Sequence, residues 1–164
     1  MPLSSPPPAI SPRNPGVKAG FFKTATEADG TPVAAIAAVQ EFGAVVRGRG
    51  GHSVIIPPHP FLRQTVAQRR SAWVRQLAEA LKATLRAGGA GTTEPPLNTL
   101  VQRLSAPTQA LTTVGKTMQA DITQTIRQTH TPSNAPATIR HKGFDKPLLE
   151  TGTLQNGVSF QVEG

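Results

Sequence analysis

Residues 53–65 read Ser-Val-Ile-Ile-Pro-Pro-His-Pro-Phe-Leu-Arg-Gln-Thr, which sets three prolines and a histidine between an apolar run and a long charged segment. Residues 53–56 are mostly β-branched and apolar, the composition of a strand. Each proline fixes its own φ and biases the residue before it toward extended geometry, so Pro57, Pro58, His59 and Pro60 hold the chain straight. Pro60 also suits the first position of a helix, where a missing N–H costs nothing. Beyond it, over residues 61–86, Leu62, Val66, Trp73, Leu77 and Leu81 return at steps of four or seven and form one apolar stripe. The stretch therefore predicts a stiff strand-to-helix bracket beginning a long helix at Phe61, with His59 directed outward to solvent or a neighbouring subunit.

Working outward, residues 17–22 (VKAGFF) read as a short strand, and Asp29-Gly30 as a turn. Thr31 is a natural N-cap with Pro32 at the first helical position. Val33, Ile36, Ala37 and Gln40 follow at helical spacing, and Gly43 after Glu41-Phe42 is a stop. Residues 47–51 (RGRGG) read as a hairpin tip or loop. Residues 88–96 (GGAGTTEPP) form a linker. Leu97, Leu100, Val101 and Leu104 make a short helical piece that Pro107 is expected to interrupt and restart. Leu111, Val114, Met118, Ile122 and Ile126 then define a second long amphipathic helix ending near residues 130–132. Residues 157–162 alternate as a closing strand. The order predicts an α+β fold: a small, mostly antiparallel sheet packed with two long helices and one short helix.

With 164 residues, the chain has room for one domain with a real core. Residues 1–16 contain six prolines and read as an extended arm, leaving 17–164 as a single domain. Apolar residues make up 37% and aromatics 4%, so the core is lean and neighbours would help it. No run has the length of a membrane span or a secretory leader, and the chain reads as soluble with no membrane partner. The formal charge is +8, and residues 61–104 carry seven basic groups against two acidic. Arg75, Lys82 and Arg86 share a helix face, and Arg47 and Arg49 flank the glycines of the tip; these five are candidate DNA-facing or subunit-facing residues.

Motifs of chemistry fail on inspection. With no cysteine there are no disulfides and no thiolate nucleophile or metal ligand. Residues 114–117 (VGKT) end like a phosphate-binding loop, but Ala110 stands at the first glycine's place and the tetrapeptide lies within a helical pattern. Glu150-Thr151-Gly152 differs from the aspartic-protease triplet by one methylene, which would misplace the carboxylate in a dyad. His52, His59, His130 and His141 lack metal-ligand spacing. The residues nominate no catalytic group, no cofactor and no metal, so the chain does not read as an enzyme.

The order of the short motifs resembles the tail-completion or head-to-tail joining proteins of tailed bacteriophages, of the minor tail protein Z type. The resemblance rests on Gly30-Thr31-Pro32-Val33-Ala34 with Glu41-Phe42-Gly43, then Ile56-Pro57-Pro58-His59-Pro60-Phe61, then residues 111–115. It continues in Thr138-Ile139-Arg140-His141-Lys142-Gly143 and in Lys146-Pro147-Leu148-Leu149-Glu150-Thr151-Gly152-Thr153-Leu154. His59 stands where that pattern has arginine, and Glu150 where it has aspartate; the proline-rich arm lies outside it.

The resemblance implies a virion structural protein, assembled in the host cytoplasm. It would form a homo-oligomeric ring, a hexamer being one closure, at the neck or the top of the tail. The ring would terminate the tail and join it to the head, contact other neck and tail-tube proteins, and pass double-stranded DNA non-specifically through its lumen. The bracket and interface residues so implied are Pro57, Pro58, His59, Pro60, Phe61, Lys142, Gly143, Lys146, Pro147, Leu148, Thr151, Gly152 and Leu154. The alternative carried by charge alone is a free basic nucleic-acid-binding protein.

Overall fold

The computed structural model describes residues 15–22, 25–26, 29–47, 53–87, 97–129, 131–133, 140, 143, 148 and 152–163, without the side chains of 54, 85, 87 and 97–104. In chain order the elements are β1 (Gly16–Phe21), α1 (Val33–Phe42), β2 (Ala44–Arg47), β3 (Ser53–Ile56), α2 (Phe61–Ala87), α3 (Leu97–Gln128), α4 (Thr153–Asn156) and β4 (Val158–Glu163). The fold is α+β, with α2 and α3 as its long helices. Its strands form two separate antiparallel pairs. β1 lies against β4, from Gly16 opposite Glu163 to Phe21 opposite Val158, and β2 lies against β3, from Ala44 opposite Ile56 to Arg47 opposite Ser53.

α3 is the spine, packed against the β1–β4 pair and against α2. The core joins Val33 and Ala37 of α1, Phe61 of α2, Ile122 and Ile126 of α3, and Leu148, Leu154 and Val158 near the C-terminus. Phe61 and Ile126 are wholly buried, each worth about 1.5–3 kcal/mol of transfer free energy. Phe21 meets Phe61 edge to face, with ring centroids 5.9 Å apart, tying the β1–β4 pair to the start of α2. Gly115 lets α3 approach that pair: a Cβ there would overlap Phe160 Cδ2 and stand 2.9 Å from Val17 Cγ2. The glycine of the VGKT tetrapeptide thus serves helix-to-strand packing.

Between α2 and α3 runs a polar ladder. Thr65 Oγ1 lies 2.7 Å from Thr125 Oγ1, Trp73 Nε1 donates to Asp121 Oδ2 at 2.7 Å, and Gln76 Nε2 donates to Thr117 Oγ1 at 3.1 Å. Arg69 Nε also approaches Asp121, at 3.6 Å.

The structure departs from the sequence expectations at four places. α3 runs unbroken from Leu97 to Gln128 with Pro107 inside it. A proline removes one helical hydrogen bond and crowds the preceding turn, at about 3 kcal/mol; the packing of α3 against two neighbours outweighs that cost. α1 begins one residue later than expected, because Pro32 is itself extended (φ −63°, ψ 126°) and forms an isolated bridge with Thr26. Thr31 has a different role from capping: its backbone N–H donates to Asp29 Oδ1 at 2.9 Å. Finally, β2 is a strand that the sequence reading passed over between the Gly43 stop and the tip. Of the arm at 1–16, residues 1–14 lie outside the described residues while Gly16 already belongs to β1; residues 48–51 of the tip and the linker over 88–96 also lie outside them.

Candidate functional site

The bracket is built against the C-terminal end of α1. At its C-terminus Gly43 takes φ 74°, left-handed territory that favours glycine, and its N–H returns to Val39 O at 2.8 Å. A Cβ at Gly43 would lie 2.9 Å from Ile56 O and 3.1 Å from Pro58 N, so only glycine lets β2 depart this close to the incoming β3. Pro57 and Pro58 follow directly. The backbone N–H of His59 then donates to Gln40 O at 2.6 Å, which pins the proline run to the last turn of α1.

Glu41 closes the junction. Its carboxylate is buried, with 2% relative exposure, yet each oxygen has donors: Oε2 accepts from Leu62 N at 2.8 Å, and Oε1 from Arg63 N at 3.1 Å and Arg63 Nε at 2.8 Å. A further Arg63 nitrogen donates to the Glu41 carbonyl at 2.8 Å, and the guanidinium lies 5.2 Å over the centroid of the Phe42 ring. The first turn of any helix leaves backbone N–H groups without helical partners, and an anion there is favoured by their aligned dipoles. In this chain the cap of α2 comes from another helix, α1. The Glu41-Phe42-Gly43 triplet and the Pro57–Arg63 stretch form one latch.

His59 is corrected by this geometry. It does not point outward: it is 2% exposed, and its Nε2 lies 2.8 Å from the Pro132 carbonyl just beyond α3. That acceptor fixes Nε2 as the protonated nitrogen, and buried Nδ1 has no hydrogen-bond partner among the described residues. The bracket thereby fastens the start of α2 to the segment after α3. This contact links residues 73 positions apart, and no local pattern around the histidine announces it.

The other nominated residues divide. Phe61, Leu148 and Leu154 are buried in the core; Pro57 is half-buried; Pro58, Pro60 and Gly143 are exposed, and Gly143 takes φ 78°. Gly152 is left-handed (φ 77°, ψ −5°) and opens α4, accepting from Asn156 N at 3.0 Å. Lys142, Lys146, Pro147, Thr151 and Arg49 fall outside the described residues. The structure thus brings Pro57–Phe61 together with Glu41 and Arg63, both missed as functional residues. The available signal was a lone acid at the end of a short helix before a glycine, with a proline run and an arginine downstream.

Arg75, Lys82 and Arg86 are all exposed on α2, and Arg47 ends β2. Of the five described carboxylates, four face a cation: Glu41 with Arg63, Glu79 with Lys82, Asp121 with Arg69, Glu163 with Lys18. Arg47, Arg70, Arg75 and Arg86 have no carboxylate partner among the described residues. On α3, Lys116 and Arg127 border a shallow open depression with Gln119, Ala120, Thr123 and Gln124.

Above the latch projects the β2–β3 ribbon. Val45 and Ile55, directly opposite each other, are 69% and 73% exposed, and Phe42 at its root is 68% exposed. Among the described residues no other element makes more than marginal contact with it. A two-stranded ribbon is marginal in water unless something covers a face. Among the described residues there is no group of three or more His, Asp or Glu placed to hold a metal ion, and no helix long and apolar enough to cross a membrane. Compared with protein-family models, with curated proteins and with solved structures, the chain matches none of them.

Proposed function

We propose that this chain is a structural component of a tailed-bacteriophage virion. In this reading it forms a ring at the neck or the top of the tail that completes the tail and joins it to the head. The observation that carries the reading is the latched ribbon: an apolar two-stranded projection, exposed along Val45 and Ile55, whose root is immobilised by Glu41, Gly43, Pro57, Pro58 and His59. A rigid projecting element loses little conformational freedom when a neighbour covers it, which is the property an assembly component needs. The motif order from Gly30 to Leu154 gives that assembly its kind.

The arginines without carboxylate partners give the lumen its chemistry. Arg75 and Arg86 on one face of α2, with Lys82 beside them, suit loose, sequence-independent contact with DNA phosphates. The same residues favour a second reading, a free basic protein bound to nucleic acid, and salt separates the two. An isolated monomer with tight, steeply salt-dependent duplex binding supports the second reading; weak binding that needs the assembled ring supports the first.

The test is reconstitution. Purified protein mixed with tail tubes and filled capsids lacking it is expected to form rings at the tube end and to restore joined particles, counted by electron microscopy. A chain that attaches to neither tubes nor capsids overturns the proposal.

A further inference from the structure

The β2–β3 ribbon has two unpaired edges among the described residues and an arginine on its apolar face. Of the six exposed large apolar side chains among those residues, four lie on the ribbon or at its root: Phe42, Val45, Val46 and Ile55. Val45 and Arg47, two positions apart, share one face, where Ile55 stands opposite Val45 and Ser53 opposite Arg47. Neither strand carries an acid, and Arg47 has no carboxylate partner among the described residues. Because each strand pairs there with the other alone, backbone N–H and C=O groups along both outer edges belong to no ladder.

We propose that the outer edge of β2 takes an extended acidic segment of a different protein as a third strand. The contact rests on reading this chain as an assembly component, and it names what covers the projection. The edge is that of β2 because three of its four residues are exposed and it carries Arg47. β3 instead runs into Pro57 and Pro58, which have no N–H to donate, so a ladder on its outer edge stops at Ile56. Alternate side chains of an added strand share a face, so an apolar residue beside Val45 comes with an acid beside Arg47 when one residue separates them. The recognised order is apolar-x-acidic for parallel pairing and acidic-x-apolar for antiparallel. The latched root holds the edge in place, so the cost of ordering falls mainly on the incoming segment.

Other occupants fail on the same observations. A second copy brings +8 and the same arginine-bearing face, so like charges meet. The chain's own residues 1–16 hold six prolines and no acid, and so supply neither a run of ladder donors nor the opposite charge. Lipid leaves the edge groups without partners, which a bilayer does not tolerate. A nucleic-acid backbone offers phosphates to Arg47 and nothing to Val45 and Ile55.

The probe is a blocked, fluorescent peptide of about seven residues, within the usual range of strand lengths. It has glutamate at its centre, a valine two positions to either side and threonine elsewhere, so either strand direction can be met. Its anisotropy should rise on titration with the full chain. A lysine-centred peptide should bind about fivefold more weakly, the upper range for an opposite-charge cross-strand pair, and Arg47→Glu should reverse that order. A peptide N-methylated at every residue keeps the side chains, loses the backbone donors and should not bind. Val45→Thr/Ile55→Thr, where threonine keeps strand preference, should weaken the glutamate peptide by a similar factor with unchanged circular dichroism. No binding of the glutamate peptide, equal binding of the lysine or N-methylated peptide, or an order that Arg47→Glu leaves in place overturns the contact. So does a self-associated chain that the ribbon variant returns to monomers in sedimentation, because a second copy then covers the face. Failure of head–tail joining by a chain that passes these tests would instead overturn the proposed function and leave the contact standing.

Discussion

The Arg63 side chain holds Glu41 at two points: the carboxylate Oε1 accepts from Arg63 Nε at 2.8 Å, and the backbone carbonyl accepts from a second guanidinium nitrogen at 2.8 Å. Because the same carboxylate accepts the backbone N–H groups of Leu62 and Arg63, one side chain satisfies the start of α2, pairs a cation and fixes the angle between α1 and α2. Burial does not make this pair a liability, since each carboxylate oxygen has a donor and Arg63 remains 59% exposed to water.

Removing that carboxylate should be costly. Glu41→Ala leaves two backbone N–H groups without their acceptor in a closed site, and the expected loss is about 2–4 kcal/mol, read as a lower urea midpoint. Glu41→Gln keeps one oxygen acceptor and the volume, so it should lose roughly half as much. Equal stability of all three chains would show that the cap is dispensable.

Gly115 separates packing from phosphate chemistry in the VGKT tetrapeptide. Alanine is the better helix former by about 1 kcal/mol, yet its Cβ would overlap Phe160 and Val17. Gly115→Ala should therefore lower stability by about 1–2 kcal/mol and Gly115→Val by more, through overpacking. Lys116→Ala, at an exposed neighbour, should leave thermal stability within about 0.5 kcal/mol of the unaltered chain. Calorimetric titration with ATP should give no heat for any of them; binding that Lys116→Ala abolishes would restore the phosphate-loop reading.

The ladder between α2 and α3 lends itself to a double-mutant cycle. Thr65 is wholly buried, and its hydroxyl meets both Phe61 O at 2.7 Å and Thr125 Oγ1 at 2.7 Å. Thr65→Val should cost about 1–2 kcal/mol, because it removes the contact to Phe61 O and one of the two partners of the Thr125 hydroxyl. Thr125 also bonds Asp121 O at 3.0 Å, so the double valine variant should lose less than the sum of the singles. Strict additivity would mean the hydroxyls do not interact.

Much of the fold was legible because it rests on local signals. The 53–56 strand, the start of α2 at Phe61 and the Gly43 stop follow from β-branching, proline geometry and left-handed glycine, each acting within a few residues. Pro107 was misjudged because a local rule met a tertiary force: the helix interior forbids proline only until packing on two sides outweighs one lost bond. β2 was passed over because four residues give too short an alternation to stand out beside the arginine–glycine tip. The burial of His59 and the capping by Glu41 were illegible for a different reason. Their partners lie 73 and about 21 positions away, so only the fold brings them together.

Asp29 offers a pH observable. The Thr31 backbone N–H, and after it the Thr31 side chain, hold its carboxyl below the ordinary value of 3.8. A depressed acid favours the folded state at pH above the unfolded value, and that contribution disappears as pH falls through the folded one. Carbon-detected NMR titration should place its midpoint under 3.8. Thr31→Val removes only the side-chain contribution, so the midpoint should rise partway. A midpoint at or above the ordinary value in the unaltered chain would contradict the turn geometry.

The bracket yields the last prediction, and His59 changes its direction. A histidine at the surface would make His59→Ala milder than glycine at Pro57 and Pro58. Held at 2% exposure with Nε2 on the Pro132 carbonyl, it should instead be the more damaging site. His59→Ala opens a cavity and orphans that carbonyl, for about 2–4 kcal/mol. Pro57→Gly/Pro58→Gly acts chiefly by loosening the unfolded chain and the ribbon root, at about 0.5–1 kcal/mol per residue. His59→Arg asks whether the arginine of the phage pattern fits: a longer cation in this closed site must either displace the 131–133 segment or turn out into solvent. Urea unfolding of the three variants should rank the proline pair as least destabilised. The reverse order would mean that chain stiffness, rather than the link to Pro132, holds the start of α2 in place.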